Sequence, residues 1–187
     1  MTLSCRFVDD ADPQWPETPS LTIVASGRDA TLRVVVLRDD AFALSIEIHD
    51  EHGGMPWRDA RIVGELLMIG GLRHAHAIAL SDPPRLSASI RMSGYFCCFH
   101  VPEELDAPAD AFDVLAVGCS EVVRFGPSGD VVWAVSNLAV DGIVLHRVVN
   151  GRIRGEAEWD PPGGWEPFEL DADTGEVLVA PASRMRW

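Results

Sequence analysis

The residues with the types and spacing to do chemistry are few. His74-Ala75-His76 is the sharpest metal candidate. In a strand, positions two apart share a face, so both imidazoles could reach one ion. His100 is the candidate third ligand, and His49 or Glu65 a fourth. Yet that face also carries Leu72, Ile78 and Leu80, and no acid occurs between 77 and 80. We therefore read the two histidines as core or interface residues and expect no metal, keeping His74, His76 and His100 as the alternative. Asp171, Asp173 and Gly175 echo a calcium loop but lack its third acid and distal Glu, and turn formation accounts for them. The four cysteines, Cys5, Cys97, Cys98 and Cys119, contain no Cys-x-x-Cys pair and read as reduced thiols; Cys97 and Cys98, adjacent in a strand, should point to opposite faces. Ser120 follows Gly118-Cys119 outside any nucleophile elbow, and no phosphate-cradling glycine loop occurs. The chain reads as non-enzymatic and without a cofactor.

The second kind of signal is a binding signal. Between 156 and 176 lie eight acids and no Arg. Trp159 and Trp165 flank a Pro-Pro-Gly-Gly loop inside that block. Prolines lower the entropy lost on docking, and aromatic anchors rimmed by charge are a common form of binding hot spot. The candidate partner-binding residues are Glu156, Glu158, Trp159, Asp160, Trp165, Glu166 and Glu169. The competing reading is that both tryptophans cover the end of a β core while the acids are solvated.

Charge narrows the partner. The formal net charge is −14 over 187 residues. It argues against nucleic acid and against an anionic membrane surface, both of which need a basic face. It permits a cationic protein, whose encounter it would accelerate. Lysine is absent, so arginine supplies every strong cation. The first residues lack an apolar signal-peptide core, and the longest apolar runs are about half a membrane span. The expected location is the cytoplasm.

These residues must be positioned by strands. Asn150-Gly151 between two β-rich runs is a type I′ hairpin signal, because both turn positions need φ > 0. Gly175 is placed for the left-handed residue of a second hairpin. The first hairpin predicts that Val149 faces Arg152, Val148 faces Ile153, Arg147 faces Arg154 and Val144 faces Ala157. Val144, His146, Val148, Ile153, Ala157 and Trp159 then form a core face, and Arg147, Arg152, Arg154, Glu156 and Glu158 face solvent or a partner. Upstream, 3–8, 21–25, 31–37 and 42–49 read as strands, the last burying Phe42, Leu44, Ile46 and Ile48 on one face. Trp15, in a proline-rich loop, is placed to pin that loop to the body. Residues 58–69 are ambiguous: Ala60, Val63 and Leu67 fit a helical stripe, but Ile62-Val63 and Gly70-Gly71 fit a strand entering a tight turn, the reading we favour. Further strands are expected at 72–80, 85–92, 95–101, 112–118, 121–125, 131–135 and 138–140, about a dozen in all. The acidic segment 102–111 is a short helix or a crossing.

Two segments, 122–133 and 167–179, resemble strand-turn-strand units of quinoprotein-type β-propeller repeats. Gly129 and Gly175 are 46 positions apart, close to one blade, and no third copy is evident upstream. The resemblance implies antiparallel structure in the C-terminal half and nothing about a quinone. In broader character the chain is similar to small acidic bacterial immunity proteins, which neutralise toxins through acidic, aromatic-dotted surfaces. The expectation is thus one all-β domain over 1–187, a mainly antiparallel sandwich or open barrel, with a subdivision near 102–111 as the alternative. It would act as a protein-binding, immunity-type inhibitor of a cationic toxin or effector. The competing class is a small metal-dependent or ligand-binding β-barrel enzyme of cupin type, although the Glu and glycine pattern that follows His-x-His in cupins is missing.

Overall fold

In a computed structural model, residues 2–9, 11–27, 30–50, 57–159 and 164–183 are described. They form sixteen strands and one short 3-10 helix at Pro102–Leu105. The strands fall into four sheets of four. Sheet I holds β1 (Leu3–Val8), β2 (Leu21–Val24), β3 (Ala30–Arg38) and β4 (Ala41–Asp50) in the order β1-β3-β4-β2, with β2 parallel to β4. Sheet II is an antiparallel meander of β5 (Arg58–Val63), β6 (Leu66–Gly71), β7 (His74–Ala79) and β8 (Arg85–Arg91). Sheet III repeats it with β9 (Phe96–His100), β10 (Val114–Gly118), β11 (Val122–Phe125) and β12 (Val131–Val135). Sheet IV repeats it with β13 (Gly142–Val149), β14 (Arg152–Glu158), β15 (Trp165–Asp171) and β16 (Val177–Val179). The chain is all-β and mainly antiparallel, as expected. The 3-10 helix joins two paired neighbours, β9 and β10, inside sheet III.

The sheets pack face to face in chain order, so the sandwich contact recurs at three interfaces. Val34, Val36, Ile46 and Ile48 of sheet I meet Leu67, Ile69 and Ile78 of sheet II. Leu66, Met68, Ala75 and Ala77 of sheet II meet Phe96, Val114, Ala116 and Phe125 of sheet III. Leu115, Val117, Val122 and Trp133 of sheet III meet Ile143, Leu145, Ile153, Phe168 and Leu170 of sheet IV. A sheet covered on both faces has no solvent side, so its central strands become continuous apolar runs. LLMIGG of β6 and VLAVG of β10 are buried throughout, whereas β14 alternates.

One expectation is corrected. The stretch 58–69 is two strands, joined at Gly64-Glu65, while Gly70-Gly71 closes β6 and enters the tight Leu72-Arg73 turn, as expected. A Cβ on Gly70 would sit 2.1 Å from the Phe96 ring of sheet III, and one on Gly71 would sit 2.7 Å from Leu32 of sheet I. The glycines make room on both faces of the strand. The segment 138–140 is not a strand. Trp15 does pin its loop: the Arg33 guanidinium lies 5.3 Å from its ring.

The two propeller-like segments are the last hairpins of sheets III and IV, β11–β12 and β15–β16. Each turn glycine, Gly129 at φ 81° and Gly175 at φ 74°, leans on the preceding sheet, Gly129 against Ala77 and Leu66, Gly175 against the Trp133 ring. A third copy exists as β7–β8, whose turn is Ser81-Asp82-Pro83-Pro84. It escaped detection because proline chemistry replaces the glycine. No helix among the described residues is long and apolar enough to cross a membrane.

Candidate functional site

The outer face of sheet IV is the surface where most of the predicted binding residues meet. The Asn150-Gly151 turn forms as expected, with φ of 53° and 72°. Val149, Val148 and Arg147 face Arg152, Ile153 and Arg154. Beyond them the register slips at a β-bulge between Leu145 and Arg147, so Val144 faces Glu156 and Ile143 faces Ala157. A bulge adds one residue to one strand and re-aims its neighbours. Here it reverses the predicted facing of two residues. Val144 and His146, expected in the core, point outward, and Ile143 and Leu145 take the core positions.

The exposed rows follow from this register. Gly142, Glu158 and Trp165 are opposite one another, then Val144, Glu156 and Pro167, then Arg147, Arg154 and Glu169, with Val179 beyond. Val144 is 43%, Trp165 40% and Val179 44% exposed. The Trp165 ring lies over Gly142, where a Cβ would come within 2.9 Å of it. A shallow groove is lined by His146, Arg147, Arg154, Glu156, Pro167 and Glu169.

The charges on this face largely pair with one another. His146 Nε2 is 3.1 Å from Glu156. Glu169 sits 3.0 Å from Arg152 Nη1 and 3.0 Å from Arg154 Nε. Further acids are Glu158, Asp173 and Glu176, of which Asp173 lies 3.4 Å from Arg124 Nη1. Asp171 is taken up by its own turn: Oδ1 accepts from the Asp173 and Thr174 amides and the Thr174 hydroxyl. Those bonds, the Thr174 amide first, hold its carboxyl below the ordinary range.

Of the seven predicted partner-binding residues, Glu156, Glu158, Trp165 and Glu169 share the outer face. Trp159 turns inward, packs on the core between sheets III and IV, and donates its indole N–H to the Leu138 carbonyl at 2.8 Å. Glu166 accepts from the Ser183 amide and hydroxyl at 2.8 and 2.6 Å. Asp160 lies outside the described residues. Val144, His146, Pro167 and Val179 complete the surface and were missed; the bulge that exposes the first two has no marker in the sequence.

The three histidines of the metal alternative are not gathered. His74 and His76 stack at 5.8 Å between sheets I and II, with His74 Nδ1 2.8 Å from Asp50 Oδ2. Burial, then the neighbouring His74, pushes His76 down to about 4, and its Nδ1 has no hydrogen-bond partner. His100 belongs to sheet III, where Nε2 is 3.5 Å from Cys98 Sγ and Nδ1 is 3.6 Å from Glu104, itself paired with Arg61. Among the described residues no three His, Cys, Asp or Glu side chains converge closely enough to hold a metal.

Comparison with known proteins supports the architecture. No family model matches the chain, and no curated protein matches it. Among solved structures, hydrazine synthase of Kuenenia stuttgartiensis aligns over 93% of this chain and 52% of its own at 9% identity, with a TM-score of 0.50. A protein of unknown function from Bacteroides caccae aligns over 84% and 61% at 13% identity and 0.43. The Pan2 WD40 domain of Neurospora crassa aligns over 79% and 46% at 10% identity and 0.42. The chain spans about half the length of the solved chains it matches. At 9% identity the hydrazine synthase likeness concerns the fold alone.

Proposed function

We propose that the chain is a non-enzymatic protein-binding module, most concretely an immunity-type inhibitor that neutralises a cationic toxin or effector. The observation that carries this reading is the outer face of sheet IV, where Val144, Trp165 and Val179 lie exposed among charged side chains. An apolar sheet face with a charged surround is the composition of a protein interface, with the aromatic side chain as its anchor. The net charge of −14 favours a basic partner and fast encounter.

The test is co-purification at low salt, repeated with Trp165→Ala and with Glu158→Arg. The reading requires a basic protein that is released as salt rises, is lost with Trp165→Ala, and associates more slowly with Glu158→Arg. A bound protein indifferent to both substitutions and to salt would sink it.

A further inference from the structure

Cys97 and Cys119 lie on neighbouring segments of sheet III with their sulfurs 3.8 Å apart. Two features of the backbone put them there. The β9–β10 ladder pairs Val117 with Cys98 and Gly118 with Phe96, so Cys97 is the extra residue of a bulge, and its side chain is re-aimed. Cys119 follows β10, where its amide donates to the Tyr95 carbonyl at 2.9 Å. Cys97 is half-buried and Cys119 is 7% exposed. Neither sulfur contributes to the three interface cores.

We propose that Cys97 and Cys119 form a redox modification site, closing reversibly to a disulfide under a small two-electron oxidant of the peroxide class. The sulfurs must approach from 3.8 Å to about 2 Å, the length of the bond. In the reaction the Cys119 thiolate attacks one peroxide oxygen, the O–O bond breaks, and the departing hydroxide takes a proton to leave as water. The Cys97 sulfur then gives up its proton and attacks the Cys119 sulfenic acid. The S–S bond forms, the S–O bond breaks, and the second oxygen leaves as water. Two thiols lose two electrons and two protons, and one peroxide becomes two waters.

The surroundings favour this pair over the other two thiols. The hydrogen bond from Cys97 holds the Cys119 thiol down to about 7, against the opposing effects of burial and Asp141, while Cys97 is pushed up. The neighbouring thiol thus favours the thiolate form of Cys119, the form that attacks a peroxide. Burial pushes both Cys5 and Cys98 up to about 11.

The experiment is oxidation of the full chain with hydrogen peroxide, followed by alkylation of the remaining thiols under denaturing conditions. Cleavage after glutamate separates the two cysteines, because Glu103 and Glu104 lie between them. Two of the four thiols should be lost together, with a peptide pair linking Cys97 to Cys119, lighter by two hydrogens and restored by dithiothreitol. The link should survive Cys98→Ser and vanish with Cys97→Ser. Sulfinic acids without a link, or a link through Cys5 or Cys98, would overturn the assignment. No glutamate separates Cys97 from Cys98, so fragmentation between them must show which carries the alkyl group; read that way, the wild-type protein decides the question even if a serine variant folds poorly.

Discussion

The two end sheets face the same problem and meet it differently. Each has one face packed on a neighbour and one that needs a cover. On sheet I the cover is supplied by the chain itself. Arg6 on its outer face reaches Asp12 at 2.6 Å and Gln14 at 2.8 Å, Trp15 lies against Arg33, and Ser20 and Ser45 exchange amide-to-hydroxyl bonds at 3.1 Å. Val35 and Ser45, which point away from the core, are fully buried as a result. On sheet IV the equivalent face keeps Val144, Trp165 and Val179 exposed, among ions such as His146 with Glu156 and Arg152 with Glu169 that pair across the strands. A stack of sheets needs a polar or covered outer layer at each end. Sheet I meets that need with a loop, while sheet IV keeps an apolar row in a charged surround. The contrast separates an end built to be closed from one suited to docking.

The sharpest way to break the comparison is to truncate one aromatic residue of each kind. Phe96 is fully buried, with its ring on Gly70. Phe96→Ala should cost about 3–5 kcal/mol in urea unfolding, the range for an aromatic deletion that leaves a cavity. Trp165→Ala should cost less than about 1 kcal/mol, as a substitution on an open surface does. If Trp165→Ala proved as costly as Phe96→Ala, sheet IV would not present a free face.

Acid should act on the closed end. His76 is buried between sheets I and II and is held down to about 4, against an ordinary value of 6.5. An unfolded chain therefore binds a proton that the folded one refuses between those values, and stability rises with pH across that window. The contribution is present in full above pH 6.5, declines as pH falls, and is gone below about 4. It amounts to something on the order of 3 kcal/mol. Denaturant midpoints from pH 7 to pH 4 should show the loss in the wild type and a flatter profile in His76→Leu. An equal slope in the variant would assign the acid sensitivity to carboxylates elsewhere.

The loop seal should be worth less. Trp15→Ala removes a cation–π contact and part of the cover over Val35, which together should lower stability by about 1–2 kcal/mol. Amide exchange at Val35 and Ser45 should quicken while that of sheet IV stays unchanged. A uniform change across both ends would mean that the loop is not a local cover.

Much of this was legible because it is local. Hairpin turns declare themselves through residues that tolerate φ > 0, and Asn150-Gly151 came through on that ground. Alternation placed Leu44, Ile46 and Ile48 of β4 on the core face, but Phe42, beyond a register shift, is 44% exposed and Ser45 on the opposite face is buried. Trp15 was readable as a pin because a lone aromatic in a proline-rich loop has few other uses. What failed was non-local. The His146 bulge is set by how β13 and β14 settle on sheet III, and nothing in 142–149 alone distinguishes it from straight pairing. Gly70-Gly71 announced the turn it enters, but not the space it makes, because the ring of Phe96 and the side chain of Leu32 are far away in sequence. Trp159 was legible on the core face, because the alternation that buries Ile153 and Ala157 carries it inward; its bond to the Leu138 carbonyl was not.

The smallest effect concerns the ions of the open face, and it bears most directly on what that face is for. Glu169 lies between Arg152 and Arg154, whose side chains are 51% and 40% exposed. Arg154 Nε is 3.0 Å from the carboxylate but not aligned to donate to it. Pairs of this kind contribute roughly 0.2–1 kcal/mol, because water screens them and side-chain entropy opposes them. A double-mutant cycle with Arg152→Ala and Glu169→Ala should therefore give a coupling within that range, falling further as salt is added. A coupling well above it, insensitive to salt, would mean that the pair is shielded from water and the face already covered in solution. A weak, salt-sensitive coupling leaves these charges free to exchange partners at little cost. An incoming protein could then take Glu169 or Arg152 without first breaking a strong bond, which is the energetic condition for docking on this face.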